Sequence, residues 1–490
     1  MSRRSKKLDR IIAEISSKIE ELQQENAQLR QENAQLRQEN AQLRARVEDL
    51  EEQLRTDSSN SSKPPSSDPP GTKRRRKGKR KRKPGGQPGH AGKTRELLPP
   101  EQVDEIVPCP PPDRCGCGGD VVPDGQEPRR HQQLELPEQL VWCTEFQQGS
   151  GICDKCGKVH YGELPEGTPP GMLGPRAMAS VGLMSGKYHL SKRQIEEIWR
   201  DLFGARISLG TVSNIEARVS AALVAPVDEA RSYVKQQAVV HADETSHKVA
   251  GKKAWLWAAV TSLVSVFLIR PSRATAEAVK LLGKGFAGIL VSDRWSGYTW
   301  IDPAWRQLCW AHLIRDLTKI AARGGRSEEI ANAILEHVKE MFVLWRMLQD
   351  GKRKRPWFRR RMVGIRADIE LLLAQGEKCG HAKTQRTCKR ILKLKAALWT
   401  FVEHEGVEPT NNLAERTIRP YVLWRKVSFG TQSDRGNRFV ERMLTVSATC
   451  RLQQRNVLDY LTDAISAFYL GQPIPSLLPT EEMVQALAAA

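Results

Sequence analysis

The length, charge and apolar content of this sequence limit the class of protein that it can encode. Its 490 residues exceed what a single hydrophobic core supports, so we expect a multidomain protein. Lys and Arg outnumber Asp and Glu by 77 to 57, and the formal net charge of +20 favours a polyanionic partner such as nucleic acid. No stretch offers the roughly 18 consecutive apolar residues of a membrane-spanning helix, and the N-terminus has no apolar signal core. We therefore expect no membrane partner and a cytoplasmic location.

An apolar heptad seam in residues 1–55 predicts a parallel coiled coil. Leu or Ile fills every d position from Leu8 to Leu50. Three of the a positions, Asn26, Asn33 and Asn40, are polar, which favours two strands in a fixed register. Glu at g and Arg at e recur through the same repeats and can pair between chains. We predict a homodimer or higher oligomer held together by this segment, the alternative being a long, solvated single helix.

Residues 56–100 are predicted to form a disordered basic linker. The segment 56–71 is rich in Ser, Pro and Asn and cannot bury a core. A basic run follows, interrupted only by Gly78, and such a run binds DNA phosphates without sequence preference. Its candidate DNA-binding residues are Lys73, Arg74, Arg75, Arg76, Lys77, Lys79, Arg80, Lys81, Arg82 and Lys83. The alternative is a solvating or localisation-like tail.

Cysteines are concentrated between Cys109 and Cys156, where six of the ten lie. Two Cys-Gly knuckles flank a strand-like stretch, which is typical of a zinc ribbon in residues 101–165 rather than of a disulfide framework. The second knuckle, Cys153 and Cys156, has C-x-x-C spacing, whereas Cys109, Cys115 and Cys117 compete for the first. We predict a Zn²⁺ ion at Cys109, Cys117, Cys153 and Cys156, the alternative being free thiols in a degenerate ribbon.

Residues 170–230 contain two helical patterns separated by a turn. Ser191 is placed to cap a first helix that reaches Phe203, and Gly204 breaks it. A second helix opens in the segment 208–214. This pattern predicts a helix-turn-helix whose second helix enters the major groove of DNA, the alternative being two ordinary packed helices. The candidate DNA-contacting residues on that helix are Ser208, Thr211, Ser213 and Asn214.

Residues 235–470 have the texture of an α/β domain. Four runs of β-branched and aromatic residues predict strands, at 238–242, 253–262, 265–270 and 288–292. A helix is expected at 274–282. Asp243 and Asp293 follow the first and fourth runs, so two neighbouring strands are expected to bring carboxylates to one site, although a single Asp at a strand end is more often a cap. Glu244 competes with Asp243 for that role, but side chains alternate along a strand, so the two are expected to point apart.

A third acid lies on a predicted helix that starts near residue 411. Asn411 or Asn412 is placed to cap this helix, and Pro420 to end it. Asn411, Glu415 and Arg419 recur at intervals of four and share one face. The alternative for Glu415 is a surface ion pair with a helix neighbour.

The order and spacing of several motifs resemble those of the insertion-sequence-66 transposases over nearly the whole chain. Besides the leucine-zipper start and the cysteine knuckles, the shared motifs are Asn-Ser-Ser-Lys-Pro-Pro-Ser-Ser-Asp at 60–68, Gly-Gly-Gln-Pro-Gly-His at 85–90, His-Ala-Asp-Glu-Thr at 241–245, Cys-Trp-Ala-His at 309–312 and Asn-Asn-Leu-Ala-Glu-Arg at 411–416. The resemblance implies an RNase H-like catalytic core with the triad Asp243, Asp293 and Glu415. It also implies a helical insertion, which agrees with helical patterns at about 320–405. A C-terminal tail is expected at 471–490.

The implied triad suits phosphodiester chemistry with two Mg²⁺ or Mn²⁺ ions, which prefer oxygen ligands. We expect a DNA transposase that binds the ends of its insertion sequence, frees 3′-hydroxyls by hydrolysis and transfers them into target DNA. Arg416 and Arg419 are expected near DNA phosphates, and His241 or His312 near the attacking water or strand. Accessory proteins of the same element are further candidate partners, and a bacterial-type, nucleoid-associated cytoplasmic location is expected. The alternatives are a catalytically inactive DNA-binding repressor and an RNase H-like nuclease that only hydrolyses.

Overall fold

The computed structural model of the chain describes residues 3–54, 97–110, 112–114, 116–121, 127, 129–137 and 140–489. The basic run at residues 73–83 lies outside the described residues, as do Cys115 and most of the predicted linker.

The N-terminal heptads form one continuous helix, α1 (Arg3–Leu54). Its repeats consist largely of Ala, Gln, Glu, Leu and Arg, which are strong helix formers. The apolar seam faces solvent: Leu22 is 49% exposed and Leu36 is 56% exposed. The side chains of Asn33 and Asn40 donate to carbonyl oxygens one turn earlier, at 3.0 and 3.1 Å. The helix is therefore observed, whereas its pairing with a second chain stays a prediction.

A short antiparallel hairpin follows, made of β1 (Ser150–Ile152) and β2 (Val159–Tyr161). The loop between its strands contains Cys153 and Cys156, and Gly157 closes it with a φ of +68°. The N–H of Gly157 donates to the carbonyl of Cys153 at 2.9 Å. This is the local geometry expected for a C-x-x-C knuckle.

Four helices precede the sheet: α2 (Pro175–Gly186), α3 (Lys192–Asp201), α4 (Leu209–Ala222) and α5 (Val224–Lys235). Ser191 caps α3 in a reciprocal capping box with Gln194, and Ser208 caps α4 by accepting from the N–H of Thr211. Gly204 lies in the turn between them with a φ of +63°. The predicted pair of helices is present, because its capping and breaking signals are local.

One mixed sheet of five strands forms the centre of the chain. Its strands are β3 (Val239–Val249), β4 (Lys252–Val260), β5 (Ser265–Arg270), β6 (Ile289–Ser292) and β7 (Arg306–Leu308), and α6 (Thr275–Leu282) connects β5 to β6. The spatial order is β5-β4-β3-β6-β7. Strand β4 pairs antiparallel with both β3 and β5, whereas β6 pairs parallel with both β3 and β7.

The first strand is longer than the sequence indicated. We expected it to end before Asp243, but β3 continues to Val249, so that prediction was wrong and Asp243 lies within the strand. The reason is a two-residue turn in which Ala250 and Gly251 both have positive φ, 47° and 75°. This geometry matches the twist of a hairpin and carries the pairing of β3 with β4 up to Val249 and Lys252.

The predicted helical insertion is present between β7 and residue 411. Its helices are α7 (Trp310–Ala321), α8 (Gly325–Gln349), α9 (Arg355–Gly376), α10 (Ala382–Leu392) and the single turn α11 (Thr400–Glu403). Their apolar side chains build a separate core around Ile334, Phe358 and Trp399. Val291 and Leu308 of the sheet belong to the same core, so the insertion packs on the β6–β7 side.

Four helices complete the chain: α12 (Asn412–Val427), α13 (Asp434–Leu452), α14 (Val457–Tyr469) and α15 (Glu481–Ala489). The prediction that Pro420 ends its helix was wrong, because α12 runs seven residues past it. An interior proline costs a helix about 3 kcal/mol. Burial of Ile418 and Tyr421 against the sheet offsets that cost.

Helix α13 covers the free edge of β5 with side-chain acceptors. Three backbone N–H groups of the strand donate to three side chains spaced four residues apart on the helix. The bonds join Ser265 to Thr449 at 3.1 Å, Phe267 to Thr445 at 3.1 Å and Ile269 to Glu441 at 2.7 Å. An edge strand that would otherwise attract another chain is thereby satisfied within the molecule.

The segment 471–490, expected to be a tail, packs against the core where it is described. Leu477 is fully buried, and its carbonyl accepts from Gln453 at 2.8 Å. Among the helices of the described residues, none has both the length and the hydropathy needed to cross a bilayer.

Candidate active site

Asp243 lies on β3, and Asp293 lies near it, directly after the end of the neighbouring parallel strand β6. His241 of β3 stands opposite Val291 of β6, and each aspartate comes two residues later along its own chain. One Asp243 carboxylate oxygen accepts from the N–H of Glu244 at 2.9 Å, and one of Asp293 accepts from the N–H of Trp295 at 2.8 Å. The sheet thus directs both acids to the same region.

Asn411 attaches the start of α12 to β3 and so places Glu415. Its side-chain amide donates to the carbonyl of Ala242 at 2.8 Å, directly before Asp243. Its amide oxygen lies 3.2 Å from Nδ1 of His241, whose pKa burial lowers to about 4. Of the two predicted caps, Asn411 and Asn412, Asn411 occupies the N-cap position, but its side chain bonds to β3 and not to an N–H group of the helix. Glu415 follows one helical turn later.

The charges of these acids are not balanced. Burial raises the pKa of Asp243 well above its usual range, and the negative charges of Glu244, Asp293 and Glu415 raise it further. A cation bound among these carboxylates would relieve that repulsion. The three acids predicted as the triad are therefore electrostatically coupled through Asp243.

The donor set fits a hard divalent ion such as Mg²⁺ or Mn²⁺, because it consists of carboxylate oxygens. Within the part of the chain that the structure describes, Asp243, Asp293 and Glu415 do not bring one oxygen each within 4.8 Å of the others. Such spacing is wide for one small ion. Two divalent ions held by these three carboxylates therefore stay a prediction.

Glu244 is engaged by two other side chains. Its side chain is 1% exposed and forms an ion pair with Arg273 at 2.5 Å. The hydroxyl of Tyr298 donates to its other oxygen at 2.7 Å. Glu244 is thus a partner of Arg273 and Tyr298 beside the acids.

Arg273 is a neighbour of the acids that the sequence did not reveal. Its guanidinium lies 3.9 Å from the ring centroid of Trp295 and 5.1 Å from that of Trp255. The same group approaches Asp293 at 3.8 Å. Stacking between two indoles fixes the planar guanidinium, so that it holds Glu244 and leans towards Asp293.

Two further side chains lie beside Glu415. Oε1 of Glu415 is 3.9 Å from Sγ of Cys309 and 3.5 Å from Nδ1 of His312. Both neighbours come from the start of α7, where Cys309 is the N-cap residue. The Cys-Trp-Ala-His motif suggested a role for His312, but not that it lies next to Glu415.

The helix residues predicted to contact DNA differ in whether their side chains are exposed or already hydrogen-bonded within the protein. Arg416 and Arg419 of α12 are exposed, and so is Asn214 of α4. Ser213 accepts from Lys192 at 2.6 Å. The hydroxyls of Ser208 and Thr211 lie 3.0 Å apart in the cap of α4.

The predicted zinc cysteines Cys109, Cys117, Cys153 and Cys156 lie at or near the surface and are thiols rather than disulfides. Hydrogen bonds from the backbone of Cys156 and Lys155 lower the pKa of Cys153, which favours the thiolate that zinc binds. Over the described ranges, no three of these cysteines come within 4.8 Å of one another. Zinc at this ribbon stays a prediction.

Comparison with known proteins gives the same family as the motifs. Residues 170–438 match the family described as "Transposase IS66 family", and residues 13–96 match a "Family of unknown function (DUF6444)". Three curated relatives from Sinorhizobium fredii (strain NBRC 101917 / NGR234) carry the names "Uncharacterized protein" y4qI, y4hP and y4jO. The first is 25% identical over 419 residues, covering 77% of this chain and 75% of its own; the second is 23% identical over 419 residues, covering 76% and 73%. The third is 26% identical over 183 residues, covering 37% and 53%. Because the first match spans more than half of the sequence, the chain belongs to the transposase IS66 family.

Proposed function

We propose that this protein is a DNA transposase that cleaves DNA at the ends of its element and joins the freed 3′-hydroxyls to target DNA. The observation that carries the proposal is the meeting of Asp243, Asp293 and Glu415, which come from β3, β6 and α12 and act together on the pKa of Asp243. The carboxylates, whose negative charges repel one another, would bind metal ions, and the exposed arginines beside them would bind DNA phosphates.

We infer that the core is RNase H-like. The inference is supported by a five-stranded mixed sheet in which three antiparallel strands precede two parallel ones. It is also supported by the position of the acids, one on β3, one directly after the adjacent strand β6 and the third on a helix after the insertion.

In this mechanism the protein's side chains hold the metal ions, orient the acids and neutralise the DNA phosphates. Two divalent ions, when bound at the three acids, activate the attacking oxygen and stabilise the leaving oxygen. Asn411 keeps Glu415 in place by its bond to Ala242. Arg416 and Arg419 are exposed on the same helix and can bind the phosphates on either side of the scissile bond. No covalent bond between protein and DNA is required.

The N-terminal parts serve DNA binding and assembly in this proposal. Pairing of α1 between two chains would bring two transposon ends into one complex. The basic run at residues 73–83 would add binding without sequence preference and with steep salt dependence. The α3–α4 pair, with Asn214 exposed, would contribute contacts at the ends.

The test is a cleavage and joining assay on DNA that carries the element's own ends, with Mg²⁺ and the element's other proteins present. The parent chain is compared with Glu415→Gln and with Glu482→Gln, a control at an exposed glutamate of α15. We expect joined product from the parent and the control, and none from Glu415→Gln, with binding of the ends retained in all three. Free 3′-hydroxyls without joining would indicate a nuclease that only hydrolyses. Bound ends without any cut would indicate a repressor, and either result would overturn the proposal.

A further inference from the structure

We propose that Cys309, His312 and Glu415 form a second metal site, for a soft divalent ion such as Zn²⁺, and that an ion there withdraws Glu415 from the first site. The binding step stands on geometry alone. Its inhibitory consequence rests on the proposed function, because it requires Glu415 to serve in catalysis.

The spacing of the three ligand atoms suits a tetrahedral ion. Sγ of Cys309, one ring nitrogen of His312 and a carboxylate oxygen of Glu415 all lie within 4.8 Å of one another. Zinc–ligand bonds of about 2.0 to 2.3 Å place the ligands of a tetrahedral ion roughly 3.3 to 3.6 Å apart. The observed separations from Glu415 are 3.9 Å to the thiol and 3.5 Å to the imidazole. The separation between Cys309 and His312 is below 4.8 Å, so closure needs side-chain shifts of at most about an ångström.

The backbone that carries these ligands is fixed from both sides. The N–H of Cys309 donates to the carbonyl of Ser292 at 2.9 Å, which ties the start of α7 to the end of β6. The N–H of Trp310 donates to the carbonyl of Pro409 at 2.9 Å. The N–H of Asn411 donates to Sγ of Cys309 at 3.2 Å, so the start of α12 rests on the thiol itself. A site built on two anchored helix starts is already organised for binding.

His312 supplies an independent observation. Its Nδ1 is buried and makes no hydrogen bond to any described residue, although Oε1 of Glu415 is 3.5 Å away. A buried nitrogen without a partner is rare in proteins and calls for an explanation. A metal ion between the imidazole and the carboxylate would use that nitrogen's lone pair.

The ligand types distinguish this site from the triad. Thiolate and imidazole select Zn²⁺ or Co²⁺ over Mg²⁺, whereas the triad offers oxygen alone. On binding, the S–H bond of Cys309 breaks, its proton passes to solvent and a sulfur–metal bond forms, with no change in oxidation state. Three protein ligands leave the fourth position open to water. Because Glu415 belongs to both sets, rising zinc should suppress Mg²⁺-dependent cleavage.

The test uses cobalt(II) as the probe, because a cobalt–thiolate bond gives a near-ultraviolet charge-transfer band. The full chain carries serine at the knuckle positions, through Cys109→Ser, Cys115→Ser, Cys117→Ser, Cys153→Ser and Cys156→Ser, so that the ribbon cannot contribute. We expect the band to saturate at one ion per chain, to disappear on addition of Zn²⁺ and to be absent after Cys309→Ser. Cys388→Ser, at another buried cysteine, should retain it. His312→Gln, at a partly exposed side chain, should weaken cobalt binding by at least about tenfold.

A chain without the band, or a band that survives Cys309→Ser, would overturn the proposal. A band in a protein that fails to cut DNA would sustain the metal site and remove the transposase activity, so the two failures are distinguishable. For the inhibitory step, the zinc response of cleavage is normalised to each variant's own rate in Mg²⁺. That response should be weaker in His312→Gln than in the Glu482→Gln control, and an equal response would remove the inhibitory step.

Discussion

The N-terminal helix and the core around the sheet differ in the exposure of their apolar side chains. Along α1 the heptad leucines face solvent, and after it Trp142 is 91% exposed. In the core the corresponding side chains are buried, and even the edge of β5 has its N–H groups satisfied by α13. The first region therefore needs something outside the chain to complete it, whereas the core is complete on its own.

However, Asp243 in the core lacks an ion-pair partner among the described residues. Glu244 has Arg273 and Tyr298 as partners, whereas Asp243 beside it is surrounded by other negative charges. An unpaired buried charge costs stability unless a ligand compensates it. The comparison therefore predicts that α1 binds a second apolar surface and that the acids bind cations.

The largest effect should come from removing the apolar seam of α1. Leu29→Gln combined with Leu36→Gln takes two leucines from each chain of a dimer, at about 1.5 kcal/mol or more each, or ~6 kcal/mol in total. The dissociation constant of the dimer should rise by about 10⁴-fold, measured by sedimentation equilibrium. Ala27→Gln with Ala34→Gln, which adds the same residue on the outer face of the heptad, should leave it unchanged. Equal dissociation constants in both variants would mean that α1 is not the dimer contact.

Asp243→Asn should separate chemistry from folding. Strand cleavage should fall by at least about a thousandfold, which corresponds to ~4 kcal/mol in the activation barrier. In metal-free buffer at pH 7 the midpoint of thermal unfolding should stay or rise, because the amide removes a charge that its neighbours repel. The control Asp463→Asn changes an exposed aspartate of α14 and should alter neither quantity. A clear drop in the midpoint of Asp243→Asn would assign that carboxylate a structural role instead.

Arg273→Gln tests the ion pair between Arg273 and Glu244, which lies beside the acids. It leaves the buried carboxylate of Glu244 with Tyr298 alone, so the free energy of unfolding should fall by roughly 3 kcal/mol. Adding Glu244→Gln removes the stranded charge and should restore most of that loss, as measured by urea unfolding. If the two changes were additive within about 0.5 kcal/mol, the pair would not be coupled.

Local signals in the sequence were enough for much of the fold. Ser191 and Ser208 cap their helices through bonds to residues three positions away, so the chain near them contains the whole signal. The extension of β3 was missed because it depends on a turn in which Ala250 adopts a positive φ, which is uncommon for a residue other than glycine. The passage of α12 through Pro420 was missed because it depends on tertiary packing, through the burial of Tyr421.

In the candidate site, too, the residues with local signals were predicted and those that depend on the folded chain were missed. The three acids were singled out because each lies in a recognisable local motif, and the structure places Asp293 and Glu415 around Asp243, while their catalytic role stays a prediction. The sequence did not reveal Arg273, because it reaches Glu244 only after the sheet has formed. Asn411 was expected to cap a helix, and only the folded chain shows its amide bonded to Ala242.

The smallest effect concerns pH and the far end of β3. His247 is buried between Tyr421 and Thr431, and burial lowers its pKa to about 4 from 6.5. The folded state therefore disfavours the proton: the contribution to stability is present above pH 6.5 and is lost as the pH falls towards 4. Between pH 7 and pH 5 this loss should approach roughly 2 kcal/mol in the free energy of unfolding. Because glutamine does not titrate, His247→Gln should reduce the pH dependence by that amount. It should also lower the stability at pH 7. An unchanged pH dependence in urea unfolding would mean that the loss arises at His189 and His241, whose pKa values burial also lowers to about 4.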